Sequence, residues 1–357
     1  MKILINIPSP KFIGGVANHY RGLKPYWSEN VKYNIIGKRG KKDLGGKYYL
    51  PWDIIKFISK IILWRPNAVI LNPSFRRTSM IRDMIFLFIS STMKQKTFIF
   101  FHGWDKNYDR QPDKKKLIKT LNRAKGIFVL ANEFKDKLLK LGITVPIFHG
   151  TTIVDNKLTK RFKIEKRNGN IKTLLFLSRV EIEKGIIIAI AAFKILKQQY
   201  PSLKFKITGD GKALNKSKEY VKNNNIKDVE FTGELSDIDL IDAFNSGDIY
   251  RFPSYAEGMP TSVLEAMAFG LPVITRKIGG LADFFEDDKM GYITESLEPN
   301  DFALRIEKLI KSPEKCKKIS EYNYHYAKKH FMASKVAKDI ETTIKNELKT
   351  NTYKKVM

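Results

Sequence analysis

Three observations predict an α/β protein built from two doubly wound parallel-sheet domains. Short apolar strands alternate with helices, glycine turns follow the strands, and the whole alternation occurs twice with a polar break between. At 357 residues, the chain has the length of two domains at about 150 residues each. The first series opens with a strand over Lys2 to Ile7, the glycine pair Gly14-Gly15, and a helix from Val16 to Leu23. Further strands are expected at Ala68 to Leu71, Thr97 to Phe101 and Gly126 to Leu130, with helices such as Trp52 to Trp64 and Lys114 to Arg123 between them. The basic stretch Lys157 to Asn170 breaks the pattern and reads as a linker. A second series then starts at Thr173. Its strands are Leu174 to Leu177, Phe205 to Thr208, Val229 to Thr232, Ile249 to Phe252 and Pro272 to Thr275. Its helices are Gly185 to Tyr200, Asp239 to Asn245 and Thr261 to Phe269. The tail around Ala327 to Ile344 reads as helical. The resulting division is 1–160, 170–330 and a C-terminal segment 331–357.

Composition narrows the classes. With 43% hydrophobic and 29% charged residues the chain is neither disordered nor fibrous. The single cysteine, Cys316, excludes a disulfide scaffold and a Cys-based zinc site. The apolar run Met84 to Met93 is too short to span a bilayer, and the N-terminus lacks a signal-peptide cleavage pattern, so a cytoplasmic location is expected. The net charge of +28 is uneven: residues 1–165 hold 33 basic and 11 acidic side chains, a local excess of +22. Such a field attracts nucleic acid, an anionic membrane face or an acidic substrate. Lysines 56 and 60 amid the apolar residues of Ile54 to Trp64, then Arg76, Arg77 and Arg82 before a second apolar run, allow docking on an anionic leaflet. Either helix, taken alone, reads rather as a core element with solvated cations, and it is the charge asymmetry of the first half that favours peripheral docking. No RNP, KH or helix-turn-helix pattern accompanies the charge, so nucleic acid is not the expected partner.

The chemistry concentrates in Phe252 to Thr275, FPSYAEGMPTSVLEAMAFGLPVIT. A strand ends at Pro253-Ser254, a glycine-containing loop carries Glu257, and Thr261 or Ser262 is placed to cap a helix bearing Glu265. As an isolated pair, these acids read as a loop carboxylate and a helix charge. A second element, Ser178 to Gly185, places Arg179 and Lys184 between a strand and a helix, where two cations can neutralise a diphosphate.

These strings resemble the signatures of the family-4 retaining glycosyltransferases, which have the GT-B fold of two Rossmann-like domains facing a central cleft. Glu257 and Glu265 match the family's E-x7-E element, and Arg179 and Lys184 match its S-R-x4-K-G motif. Gly14-Gly15 stands where the family's glycine-rich loop approaches the donor phosphate, and His102 in FFHGW resembles its histidine near the donor sugar. Gly279-Gly280 with Asp283 resembles a G-G-x-x-E loop with Asp in place of Glu, whereas Phe148 to Thr152 departs from the family's P-N-G-V-D string.

The resemblance implies hexosyl transfer, with retained configuration, from a UDP- or GDP-linked sugar to a hydroxyl of a glycan or lipid-linked acceptor in bacterial surface polysaccharide biosynthesis, such as lipopolysaccharide or capsule. It implies an acceptor-binding first domain and a donor-binding second one, with the last helix crossing back to the first. Arg179 and Lys184 would stabilise the departing diphosphate in place of a metal, and Glu265 would bind the ribose. Glu257 with Gly258, Met259, Pro260 and Thr261 would hold donor sugar and phosphate, and His102 would orient the sugar. No cofactor and no metal are expected, the nucleotide sugar being a substrate. Asp237-Ile238-Asp239 reads as a helix start with Ser236 or Asp237 as its cap. A GT-B nucleotide-sugar epimerase, a basic nucleic-acid-binding protein and an inactive partner subunit stay open as rivals.

Overall fold

The computed structural model describes residues 1–11, 14–38, 46–75, 77–104 and 114–353. Of the residues singled out above, Arg76 lies outside this set. The chain forms two compact units, Met1–Ile153 with Ala333–Met357, and Val154–Met332.

The first unit holds a six-stranded, all-parallel sheet: β1 (Lys2–Pro8), β2 (Asn30–Ile36), β3 (Ala68–Leu71), β4 (Thr97–Phe101), β5 (Gly126–Val129) and β6 (Ile147–His149), in the order β2-β1-β3-β4-β5-β6. Strands β3, β4 and β5 are buried at every position, which is why they read as unbroken apolar runs. The edge strands β2 and β6 carry no such signature. β2 alternates exposed and covered residues through Lys32 and Asn34, and β6 has three residues. The helices are α1 (Gly15–Leu23), α2 (Leu50–Trp64), α3 (Arg77–Thr92), α4 (Lys114–Leu121) and α5 (Asn132–Lys140). The C-terminal helix Ala333–Tyr353 also packs here, against α1. Glu341 on that helix accepts the backbone N–H groups of Ser28 and Glu29, both at 2.9 Å, and Lys345 pairs with Glu29. One carboxylate thus holds two otherwise open amides.

The second unit repeats the plan with β7 (Thr173–Leu177), β8 (Lys204–Thr208), β9 (Val229–Gly233), β10 (Ile249–Phe252), β11 (Val273–Arg276) and β12 (Gly291–Thr294), ordered β12-β11-β10-β7-β8-β9 and all parallel. Its helices are α6 (Ile186–Gln199), α7 (Leu214–Asn223), α8 (Asp237–Ser246), α9 (Thr261–Ala268), α10 (Leu281–Phe284), α11 (Pro299–Ile310) and α12 (Pro313–His330); the C-terminal helix of the first unit is α13. The two units are therefore the Rossmann-like pair of the GT-B fold.

The stretch 157–170, read as a linker, belongs instead to the second unit and sends Phe162 and Arg167 into its interior. Phe162 is buried against Phe269, and Arg167 is buried with its guanidinium spread over four carbonyls. Its Nε donates to Phe269 O at 3.0 Å and its Nη2 to Phe244 O at 2.8 Å, while Nη1 reaches the carbonyls of Asn245 and Gly247. These carbonyls close the C-termini of α8 and α9, where a cation completes unpaired acceptors and opposes the helix dipole. Composition resembled a linker because one buried arginine is indistinguishable in sequence from a solvated one. A second buried arginine has no such partners. Arg251, on β10, lies over the Phe205 ring at 3.6 Å, and none of its three guanidinium nitrogens has a hydrogen-bond partner. Burial pulls its pKa well below the usual arginine value.

Candidate functional site

In an open parallel sheet, ligands bind beyond the carboxyl ends of the strands where the strand order reverses. In the second unit that point lies between β7 and β10, because β7 has β8 on one side and β10 on the other. The loops leaving these strands are Ser178 to Gly185 and Pro253 to Pro260, the two segments singled out by sequence.

Glycines let the loops close on one another. Gly209 (φ +130°) would bring a Cβ within 2.0 Å of Ser178 O, and a Cβ on Gly211 would lie 2.5 Å from Val180 O. Backbone bonds seal the same contact: Val180 N–H donates to Asp210 O at 3.0 Å and Ala213 N–H to Val180 O at 2.9 Å. Gly185 (φ +75°), which opens α6, would place a Cβ 2.1 Å from Pro253 O. Gly279 (φ +50°) approaches the Glu257 and Gly258 carbonyls just as closely, and Gly280 N–H donates to Gly258 O at 2.7 Å. The loops after β7, β8, β10 and β11 thus form one packed rim.

Lys184 and Glu257 meet on this rim. The ammonium pairs with Glu257 Oε1, and both side chains are largely covered, at 15% and 12% exposure. Ser254 is fully buried, and its Oγ lies 2.8 Å from Glu257 Oε1 and 3.1 Å from Glu183 O. Tyr255 N–H donates to Glu183 O at 2.9 Å, tying the two loops together beneath the ion pair. Arg179 differs: its side chain is 68% exposed, and Nη1 lies 3.0 Å from Glu181 Oε1. One cation is neutralised in place and the other projects into solvent.

The helix cap differs from expectation. Pro260, rather than Thr261 or Ser262, occupies the N-cap of α9 and makes no side-chain cap bond. Ser262 is committed elsewhere, its Oγ 2.7 Å from the Tyr250 hydroxyl. Amides of an uncapped first turn remain donors. Met259 packs partly buried against the core beneath α9. Glu265 is half-buried on α9, and loss of solvation raises its pKa to about 8, with Asp155 adding like-charge repulsion. Asp155 was not singled out by sequence. It follows directly on the unit boundary at Val154, and only the fold brings it into electrostatic reach of Glu265.

The remaining expected residues are on the first unit. Gly14 is the N-cap of α1 in an extended conformation, and a Cβ on Gly14 or Gly15 would meet nothing within 4 Å. These glycines are not required by packing, in contrast to Gly185, Gly209, Gly211 and Gly279 on the rim. His102 follows β4, half-buried, with its ring stacked on Phe100 at 4.2 Å and edge-on to His19 at 4.9 Å. Its Nε2 lies 3.0 Å from Asn72 Oδ1. Burial, then His19, hold its pKa well below the ordinary value, and burial brings that of His19 down to about 3. Asp283 lies exposed on α10 after the Gly279-Gly280 turn. Asp237 is the first residue of α8, with Ser236 at the N-cap and no side-chain cap bond. Among the described residues no three His, Cys, Asp or Glu side chains are grouped to hold a metal, and no helix is long and apolar enough to cross a membrane.

Residues 157–326 match the family model for glycosyl transferases group 1, which covers most of the second unit. The chain is 31% identical over 155 residues to an uncharacterized glycosyltransferase of Methanocaldococcus jannaschii, covering 43% of each chain. It is also 31% identical over 185 residues to the alpha-monoglucosyldiacylglycerol synthase of Streptococcus pneumoniae, covering 47% of this chain and 42% of the relative. The matches thus span less than half the length of these curated relatives. Similarity of fold extends further. The crystal structure of Anabaena HepE in complex with UDP and glucose superimposes with a TM-score of 0.74 at 17% identity, over 97% of this chain and all of that one. Sucrose-phosphate synthase from Thermosynechococcus elongatus gives 0.72 at 14% identity, over 97% and 98%.

Proposed function

Because the Val154–Met332 unit is a group 1 glycosyl transferase domain, we propose that the chain is a retaining glycosyltransferase that moves a hexosyl group from a UDP- or GDP-linked sugar to a hydroxyl acceptor. The observation that carries the reading is the rim at the β7/β10 reversal, where Arg179, Lys184, Glu257 and the start of α9 converge. A nucleoside diphosphate meets there an exposed guanidinium, an ammonium and open helix amides, which together favour the charge that builds on the leaving group. On this reading Lys184 exchanges Glu257 for a phosphate oxygen, and Glu257 turns to the sugar hydroxyls. Glu265, beside Asp155, accepts the ribose hydroxyls, and binding draws it into its ionised form. Gly258, Met259, Pro260 and Thr261 line the sugar and phosphate, Gly14 and Gly15 let the donor phosphate approach α1 without a side chain intervening, and His102 orients the sugar. The cations do the work of a metal, and no cofactor enters.

The acceptor is a glycan or lipid-linked hydroxyl of a bacterial surface polysaccharide pathway. Relatives support this: they include amylovoran, teichuronic acid and colanic acid biosynthesis glycosyltransferases. The first unit approaches it at an anionic membrane face. Trp52, Ile55, Ile62 and Leu63 are exposed on α2, and Ile81 and Phe88 on α3. Lys56 lies over Trp52 at 5.2 Å and Arg123 over Phe88 at 5.0 Å, placing cations beside the apolar patches. Lys60 takes no part, since its Nζ donates to Tyr33 O at 2.9 Å and Asn34 Oδ1 at 3.0 Å.

Incubation of UDP- and GDP-hexoses with lipid-linked acceptors, followed by proton NMR of the product, tests the reading. It requires a new glycoside of the donor's own anomeric configuration, formed equally well in EDTA. An epimerised nucleotide sugar without acceptor, or an inverted glycoside, contradicts it. Flotation with phosphatidylglycerol vesicles, lost in Trp52→Ser/Leu63→Ser, tests the membrane face.

A further inference from the structure

The first unit contains a row of buried asparagines that the reaction described so far does not use, ending at half-buried His102. Asn34 on β2, Asn6 on β1, Asn72 after β3 and His102 after β4 run across the sheet, crossing its own order reversal between β1 and β3. Asn6 and Asn34 are fully buried, and Asn72 is 6% exposed. Resting on the reading of His102 as a contact of the donor sugar, we infer that Asn72 is a positioning residue that holds the His102 ring as the Nε2–H tautomer, leaving Nδ1 to accept a hydrogen bond from a substrate hydroxyl.

The assignment follows from donor and acceptor arithmetic. Asn72 Nδ2 lies 2.8 Å from Asn6 O, a carbonyl that can only accept, so the amide orientation is determined. Asn72 Oδ1 must then face the other way, where Tyr20 Oη lies at 2.8 Å and His102 Nε2 at 3.0 Å. An amide oxygen cannot donate, so both neighbours must. A neutral imidazole carries one N–H, and placing it on Nε2 leaves a lone pair on Nδ1. The orientations upstream agree. Lys60 Nζ, a pure donor, is 3.0 Å from Asn34 Oδ1, which turns Asn34 Nδ2 toward Asn6 Oδ1 at 3.1 Å. The two stretches meet at Asn6, whose Oδ1 accepts from Asn34 and whose main-chain carbonyl accepts from Asn72, so the Asn72 orientation rests on that carbonyl.

The ring stays neutral in this setting. Among the described residues, the titratable side chains whose rings pack against it are His19 and Tyr20, both on α1, and neither carries a negative charge near neutrality. With Nδ1 unprotonated, His102 cannot serve as a cation for phosphate or as a general acid from that atom. It selects for a hydroxyl that donates, which a sugar offers and an ionised phosphate does not.

The test is histidine 15N NMR on the full chain, with His102 assigned by its absence in His102→Gln. The wild type should show a protonated Nε2 and a bare Nδ1, unchanged between pH 6 and 8. Tyr20→Phe, which keeps the Asn72–His102 bond, should retain that tautomer. Asn72→Asp keeps an acceptor but adds a negative charge, so His102 should titrate into the imidazolium between pH 8 and 6. In that variant, UDP-glucose turnover should fall about tenfold from pH 8 to 6, the loss of one hydrogen bond, while the wild type stays flat. An Nδ1–H ring in the wild type overturns the inference, and needs no variant to fold. So does an Asn72→Asp protein whose ring behaves as the wild type does. A correct tautomer combined with wild-type UDP-glucose turnover in His102→Gln overturns instead the donor-sugar reading of His102.

Discussion

The two units share a plan and diverge in chemistry at the same topological point. In the second, the reversal at β7/β10 is lined by charged side chains on loops that glycines press together, with Lys184 and Glu257 paired above buried Ser254. In the first, the reversal at β1/β3 is lined by neutral amides, Asn6 and Asn72, joined by Tyr20 and His102 through hydrogen bonds. The glycines lining the two reversals differ in the same sense: Gly185, Gly209, Gly211 and Gly279 have no room for a methyl group, whereas Gly14 and Gly15 face open space. The comparison teaches that one sheet edge is built to meet charge and the other to present fixed, uncharged donors and acceptors.

The largest effects should come from breaking the packed rim. Gly185→Ala and Gly209→Ala force a positive-φ alanine into a backbone carbonyl, and each should cost about 3 kcal/mol in urea unfolding. Gly14→Ala should change stability by no more than about 0.5 kcal/mol, since nothing stands near its added methyl. Equal losses at Gly14 and Gly185 would erase the contrast between the units.

Lys184→Ala leaves the Glu257 carboxylate covered and unpaired, and should destabilise by about 2 kcal/mol. The double variant with Glu257→Ala should recover part of that loss, a coupling that a double-mutant cycle reads directly. Arg251→Met should act in the opposite sense, raising stability by about 1 kcal/mol, because a buried guanidinium without hydrogen bonds is replaced by an apolar chain of similar reach.

A further expected effect is a change of slope with pH. Glu265 is raised to about 8 in the folded chain, so between its ordinary value near 4.5 and pH 8 the unfolded state holds fewer protons than the folded one. Stability attributable to this group is therefore present at low pH and lost as pH rises through that window. Melting curves of wild type and Glu265→Gln should diverge with rising pH, the variant being the more stable at pH 8, and should converge near pH 4. Parallel curves would place Glu265 in an ordinary solvated setting.

The same contrast explains what the sequence made legible. The second unit's site lies on two continuous loops, so Arg179, Lys184, Glu257 and Glu265 stand within readable strings, as do interior strands buried on both faces. Strands β2, β6 and β12 went unread, all three being edges of their sheets without a long apolar run. Asn72 and Tyr20 were invisible because their significance arises from hydrogen bonds across 52 and 30 positions of sequence. Arg167 was misread for a related reason: its partners are main-chain carbonyls 77 to 102 residues away, which leave no trace in composition. Thr261 looked like a cap because its type suits one, yet it is already the first helical residue and the N-cap is Pro260, whose ring neither donates nor accepts.

The central claim is that the charged rim of the second unit binds a nucleoside diphosphate through its own cations and helix amides, without a metal ion. Thermal melting with UDP, GDP and their common sugar conjugates, with and without EDTA, on wild type, Arg179→Ala and Asn72→Asp, tests it most directly. One nucleotide should raise the wild-type Tm to the same extent in EDTA, Arg179→Ala should lose the shift, and Asn72→Asp should keep it, because a ligand stabilises only through the sites it occupies. A shift abolished by EDTA, or one that Arg179→Ala retains in full, would contradict the account.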